Sequence, residues 1–225
     1  FVDVPMHQLL ADDYVSTRAN LIKLDRAIPG MPPPGAISGF QIRHERSENS
    51  SSEKFRESTQ IDTSYICVVD ETGNLFSSTP SDAMANAPII PGLGFVPSSR
   101  GAQSWTDPNL PSLMGPGRRP RLTPNPAIAV KGKRHWMPFG SPGNDVQPQA
   151  MLQVLLNVFA FDNRLLEAVE HPRFATFSFP RSSEPHPYSP DLLQLEGRIS
   201  KSTAGELAAR GHDVALWPDW DWHAG

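Results

Sequence analysis

The junction Gln60-Ile61-Asp62-Thr63-Ser64-Tyr65 runs a polar, serine-rich segment straight into a β-rich stretch whose first residue is Thr63. A threonine hydroxyl is a weak nucleophile until a base lies within hydrogen-bond reach. A threonine at a new chain N-terminus carries that base itself, as its α-amino group. The ordinary pKa of such an amine is about 7.7–8.0, suited to general-base work near neutral pH. Taken alone, the junction reads more simply as a strand start, because β-branched residues are common there. Other chemistry-bearing types are scattered. Cys67 sits inside the β-rich run and reads as a small buried apolar residue. His212, Asp213, Asp219, Asp221 and His223 offer metal-ligand types, but their spacing matches no defined zinc or calcium site, so no metal is expected. No Gly-x-Ser-x-Gly elbow or His-Glu-x-x-His occurs.

The elements that would position Thr63 are legible around it. Thr63-Ser64-Tyr65-Ile66-Cys67-Val68-Val69-Asp70 reads as a strand, Glu71-Thr72-Gly73-Asn74 as a four-residue connection, and Leu75-Phe76-Ser77-Ser78-Thr79 as the returning strand. A second hairpin is expected from Ala127-Ile128-Ala129-Val130 to His135-Trp136-Met137. Residues 80–126 between them are dense in Pro, Gly and Ser, and loops that long are usually functional or disordered. Residues 147–161 form the strongest helix pattern, read as buried against a sheet. Shorter helices fit 164–170 and 202–210, the latter with Ser202 as cap and Gly211 as stop. Strands fit 174–179 and a last segment from Val214. Residues 1–28 read as partly helical with Asp12 as a cap, and 44–60 as a mobile linker. The order predicts an α+β fold, an antiparallel sheet covered by helices.

Composition narrows the class. The chain has 225 residues, of which 24 are proline, with 20 Lys+Arg against 24 Asp+Glu and a net charge of -4. That proline content excludes an all-helical bundle. The charge balance argues against a phosphate backbone as partner, and Arg118, Arg119 and Arg121 read as solvated loop charges. The single cysteine makes no internal disulfide, and no run approaches the length of a membrane span. The chain begins with Phe1 and reads as a segment of a longer polypeptide, so any signal peptide would lie upstream. The compartment is left open.

Several ordered motifs carry a family resemblance. The stretch from Thr63 to Asp70 followed by Gly73-Asn74 resembles the start of the small subunit of γ-glutamyltranspeptidases, Thr-Thr-His-x-Ser-Val-Val-Asp-x-x-Gly-Asn, with Thr63 on the nucleophile. Gly117-Arg118-Arg119-Pro120 through Pro126, Phe139-Gly140-Ser141-Pro142-Gly143-Asn144, and Ala168-Val169-Glu170-His171-Pro172-Arg173-Phe174 are similar to later signatures of that family. Phe1-Val2-Asp3-Val4-Pro5 and Arg18-Ala19-Asn20-Leu21-Ile22 resemble the end of its large subunit.

The resemblance implies an N-terminal-nucleophile hydrolase with a four-layer αββα sandwich. Residues 1–62 would be the end of the large subunit with its linker, and 63–225 the small-subunit catalytic region, truncated at its C-terminus. The precursor would cleave itself between Asp62 and Thr63. Thr63 would then take an acyl group from a γ-glutamyl amide such as glutathione and pass it to water or an amine, without a cofactor. Ser81 falls on the family's second threonine, which orients the nucleophile, and a surface-turn serine is the competing reading. The N–H groups of Gly143 and Asn144 would form the oxyanion hole. Arg100, Gln103 and Thr123 fall on substrate-binding positions but depart from the family residues there. Ala83 replaces an asparagine, Arg100 a glutamine, Gln103 an aspartate, and Leu122 and Thr123 a serine pair. The expected partners are a small amide substrate and the rest of the large subunit, whose substrate-gripping arginine lies upstream of Phe1. Because the departures fall at the acyl pocket, a cephalosporin or glutaryl acylase is the second expectation. A catalytically silent member or fragment with a structural role is the third.

Overall fold

The computed structural model describes residues 4–39, 63–81, 88–108, 110–133, 135–221 and 223. Asp62, Ala83 and the Ser-rich stretch 44–60 lie outside the described residues. Near the N-terminus, two short helices form, α1 (Met6–Leu9) and α2 (Asp12–Ala19). Asp12 does not cap α2. It is the first helical residue, Ala11 takes the cap position with extended backbone, and both Asp12 and Asp13 lie in the first turn, where they complement the helix dipole.

Two antiparallel hairpins follow. Strand β1 (Ile66–Val69) pairs with β2 (Leu75–Ser78), and β3 (Ala127–Lys131) pairs with β4 (His135–Phe139). The β1–β2 connection is tighter than the sequence suggests. The Asp70 N–H donates to the Asn74 carbonyl at 3.1 Å, so Asp70 and Asn74 still pair and only 71–73 turn. Gly73 takes φ +86°, the left-handed position that a three-residue hairpin loop requires. Asp70 fastens this turn: its carboxylate accepts from the Thr72 N–H and hydroxyl, the Asn74 N–H and the Asn74 amide, all at 2.7–2.9 Å. Those donors, Asn74 first, hold the Asp70 carboxyl down at about 2.

Helix α3 (Gln147–Phe159) carries Pro148 in its first turn, where a missing N–H costs nothing. It is buried on one face only, through Gln147, Ala150 and Met151, while Leu152 and Leu156 remain exposed. Then come α4 (Leu165–Glu170), β5 (Phe174–Thr176), β6 (Leu192–Leu195), α5 (Lys201–Ala209) and β7 (Asp213–Leu216). The cap of α5 is Ser200, whose Oγ accepts from the Thr203 N–H at 3.1 Å, two residues earlier than Ser202. Strand β6, which sequence reading missed, lies at the centre of a three-stranded sheet in the order β5-β6-β7. It pairs antiparallel with β5 but parallel with β7, through the α5 crossover. The sheet is therefore mixed, not purely antiparallel.

The edge of β5 is covered by side chains. Gln149 and Gln153, one turn apart on α3, each bond one backbone N–H and one carbonyl of the strand, at Thr176 and Phe174 respectively, over 2.9–3.1 Å. This satisfies groups that would otherwise invite another strand. Behind this contact, Val146, Ala150, Ala175, Phe177 and Trp217 make the core, with the Phe177 and Trp217 rings edge to face. Among the described residues no helix is long and apolar enough to cross a membrane.

Candidate active site

The β1–β2 register sets the site. Ile66 lies opposite Ser78, and the Ser64 N–H donates to the Pro80 carbonyl at 3.0 Å. Carried one step further toward the open end, the same register puts Thr63 opposite Ser81. The Thr63 hydroxyl donates to Ser81 Oγ at 2.9 Å. Thr63 is half-buried. Beside it, the Tyr65 hydroxyl meets Ser77 Oγ at 3.0 Å, and the Tyr65 ring lies over Gly140, where any Cβ would collide with it. Burial pushes the Tyr65 phenol above its ordinary range, against the opposing pull of the Ser77 hydrogen bond. This close approach explains the glycine at the β4 exit.

Ser81 leads into a buried polar cluster. Arg100, on a 3-10 turn (Arg100–Gln103), donates through Nη2 to Ser81 Oγ at 2.7 Å and to the Ser81 carbonyl, and through Nη1 to Thr123 Oγ1 at 2.9 Å. Gln103 is 2% exposed. With its amide oriented to satisfy both ends, its nitrogen donates to the Arg121 carbonyl at 2.7 Å, and its oxygen faces Arg100 Nη1 and Thr123 Oγ1 at 3.3 Å.

The Gly143–Asn144 turn joins this cluster through Gln147, which sequence reading did not single out. Gln147 is 1% exposed. Its amide, oriented the same way, donates to Asn125 Oδ1 at 2.8 Å and to the Thr123 carbonyl at 3.0 Å, and accepts from the Asn144 N–H at 3.2 Å. Gly143 has φ +113° and Asn144 φ +50°, left-handed backbone that few residues tolerate. Asp145 anchors its far side, accepting from the Ser182 N–H and hydroxyl at 2.9 and 3.0 Å. The only sequence signal for Gln147 was a polar residue at the start of an apolar helix.

The structure thus brings Thr63, Ser81, Arg100, Gln103, Thr123 and Asn144 into one hydrogen-bonded chain. Asp62 and Ala83 lie outside the described residues, and Leu122 is exposed. Further along the chain, Asp221 Oδ1 accepts from the His223 N–H and lies 2.6 Å from His223 Nδ1.

The gamma-glutamyltranspeptidase family model matches residues 1–222. The chain belongs to that family. The oxamate amidohydrolase proenzyme of Klebsiella pneumoniae is 31% identical over 160 residues, covering 70% of this chain and 29% of that protein. The glutathione hydrolase proenzyme of Escherichia coli is 27% identical over 229 residues, covering 96% of this chain and 35% of that protein. The solved structure of LmbA2991 superposes with a TM-score of 0.85 at 32% identity, over 97% of this chain and 39% of that one. The chain spans about a third of the length of these relatives. The fold is that of gamma-glutamyltranspeptidases and related acylases, with mixed helices and strands.

Proposed function

We propose that this chain carries the acyl-transfer centre of an amide hydrolase, with Thr63 as nucleophile once self-cleavage between Asp62 and Thr63 has freed its amine. The observation that carries this reading is the 2.9 Å bond from the Thr63 hydroxyl to Ser81 Oγ at register-matched ends of one hairpin. In maturation, the Thr63 oxygen attacks the Asp62 carbonyl and the Asp62–Thr63 C–N bond breaks, its nitrogen taking the hydroxyl proton to become the free Thr63 amine. Water then opens the resulting ester, freeing the Thr63 hydroxyl and the Asp62 carboxylate. In turnover, that amine takes the hydroxyl proton as the oxygen attacks a donor amide, and passes it to the leaving amine. An acyl ester on Thr63 remains, which water or an amine then cleaves. Gly143 and Asn144 offer backbone N–H groups to the developing oxyanion. For Asn144, the acyl oxygen would replace the Gln147 oxygen now 3.2 Å away.

The donor class is a γ-glutamyl amide such as glutathione. A second donor class is favoured by Gln103: a neutral amide stands where the family's carboxylate would pair with a substrate ammonium. This pattern suits amides whose acyl group lacks an α-amine, such as glutaryl amides, glutaryl cephalosporins or oxamate. In the intact protein, residues 1–62 end the large subunit and 63–225 form the catalytic region of the small one. The exposed apolar faces of the hairpins, including Ile66, Val68, Phe76, Ile128 and Val130, are where further layers of an αββα sandwich would pack.

Intact-mass measurement of the full-length protein tests the reading. The expected product breaks after Asp62. Thr63→Ala abolishes cleavage and hydrolysis, and Thr63→Ser keeps part of both. An unbroken chain after long incubation would favour a silent family member instead. Turnover of γ-glutamyl-p-nitroanilide compared with a glutaryl amide and oxamate separates the two donor classes.

A further inference from the structure

We infer that Arg100 is a positioning residue for the nucleophile, acting through Ser81, rather than a grip on the substrate. The inference rests on Thr63 being the nucleophile. The resemblance places Arg100 where the family carries a neutral substrate-binding glutamine. The geometry turns its guanidinium elsewhere. Arg100 is 9% exposed, and its Nη2 reaches both Ser81 Oγ, at 2.7 Å, and the Ser81 carbonyl. Its Nη1 reaches Thr123 Oγ1 at 2.9 Å.

Guanidinium nitrogens only donate, so Ser81 Oγ accepts from Arg100. The same oxygen accepts from the Thr63 hydroxyl at 2.9 Å. Both lone pairs of Ser81 Oγ are then engaged, and its side chain is held between the two partners. Two consequences follow for Thr63. Its hydroxyl is held in one orientation in the resting arrangement, with the proton directed at Ser81 until the freed amine takes it as attack begins. A full positive charge also stands one hydroxyl away from the attacking oxygen, where it favours the alkoxide character that this oxygen gains as its proton leaves. A glutamine could supply one of these bonds but no charge, and its amide carries an acceptor that could reverse the Ser81 hydroxyl.

The test uses the full-length protein and two readouts. The first is the rate of self-cleavage after Asp62, followed by intact mass. The second is the kcat and KM for whichever of the three amides is turned over fastest. Self-cleavage involves no added donor, so a residue that only grips the donor leaves that rate unchanged. Arg100→Met is expected to slow cleavage and lower kcat by about tenfold or more, with KM moving less than about threefold. Arg100→Lys keeps the charge and one donor, and is expected to recover part of both rates. If Arg100→Met fails to fold, the comparison rests on Arg100→Lys against the parent protein, with the same split between kcat and KM required. An unchanged cleavage rate overturns the inference, as does a tenfold rise in KM at unchanged kcat. Equal losses in folded Lys and Met variants overturn it as well. Full activity in Thr63→Ala would instead remove the nucleophile assignment itself, whereas an inactive Thr63→Ala beside a normal Arg100→Met removes only the role of Arg100.

Discussion

At the scale of single residues, the site depends on a few hydrogen-bonded atoms. Ser81→Ala removes the acceptor of the Thr63 hydroxyl and leaves Arg100 Nη2 one fewer oxygen. Self-cleavage and turnover should both fall by about tenfold or more, since one lost hydrogen bond to a charged group is worth about 1.5–3 kcal/mol. Rates of cleavage by intact mass would show this, and a variant as fast as the parent would return Ser81 to the surface-turn reading. Gly143→Ala is a conformational test. Its φ of +113° is strained for any side chain, so the variant should lose about 2 kcal/mol of stability and lower the thermal midpoint by several degrees. Thr63 was legible in the sequence because an ordered set of motifs converged on it. Gln147 was not, since a polar residue at a helix start ordinarily faces water.

At the scale of elements, the β1–β2 hairpin is the part that places Thr63 beside Ser81. Its turn is held by an exposed carboxylate depressed to about 2 by Asn74 and Thr72. The sign follows from linkage. A lowered folded pKa means that the stabilisation is fully present above the unfolded Asp value of about 3.9, and is lost as pH falls through about 2. Asp70→Asn should therefore flatten the acid dependence of stability between about pH 4 and 2, read by denaturant unfolding at several pH values. An unchanged acid limb would remove Asp70 from the account. The hairpin could be read from sequence because its β-rich run and the Gly73 turn are local signals. Strand β6 could not. Leu192-Leu193-Gln194-Leu195 is a short apolar run without alternation, and only its neighbours on both sides make it a strand. The parallel pairing of β6 with β7 had no local signal either.

At the scale of the whole molecule, distant segments are tied together by buried polar groups. Glu196, 1% exposed, accepts from the Arg173 N–H, from the Arg198 guanidinium and from the Trp220 N–H, while Arg198 stacks on the Trp220 ring. Burial holds the Arg173 guanidinium below its ordinary range, with Glu196 opposing that shift. Glu196→Ala should cost about 3 kcal/mol, because it strands buried donors, and a midpoint shift of under a degree would show the cluster to be dispensable. What the sequence by itself determined is the hairpin that bears Thr63, the place of its turn around Gly73, and the order of motifs that identifies the family. Those features are local, since neighbouring residues set backbone angles and strand register within a few positions. Only the tertiary structure decided that Arg100 turns onto Ser81, that Gln147 bridges Thr123 to Asn144, and that α3 covers the edge of β5. Each of these joins segments 19 to 27 residues apart, or loops on separate elements, and a polar side chain carries no mark of its partner until the chain has folded.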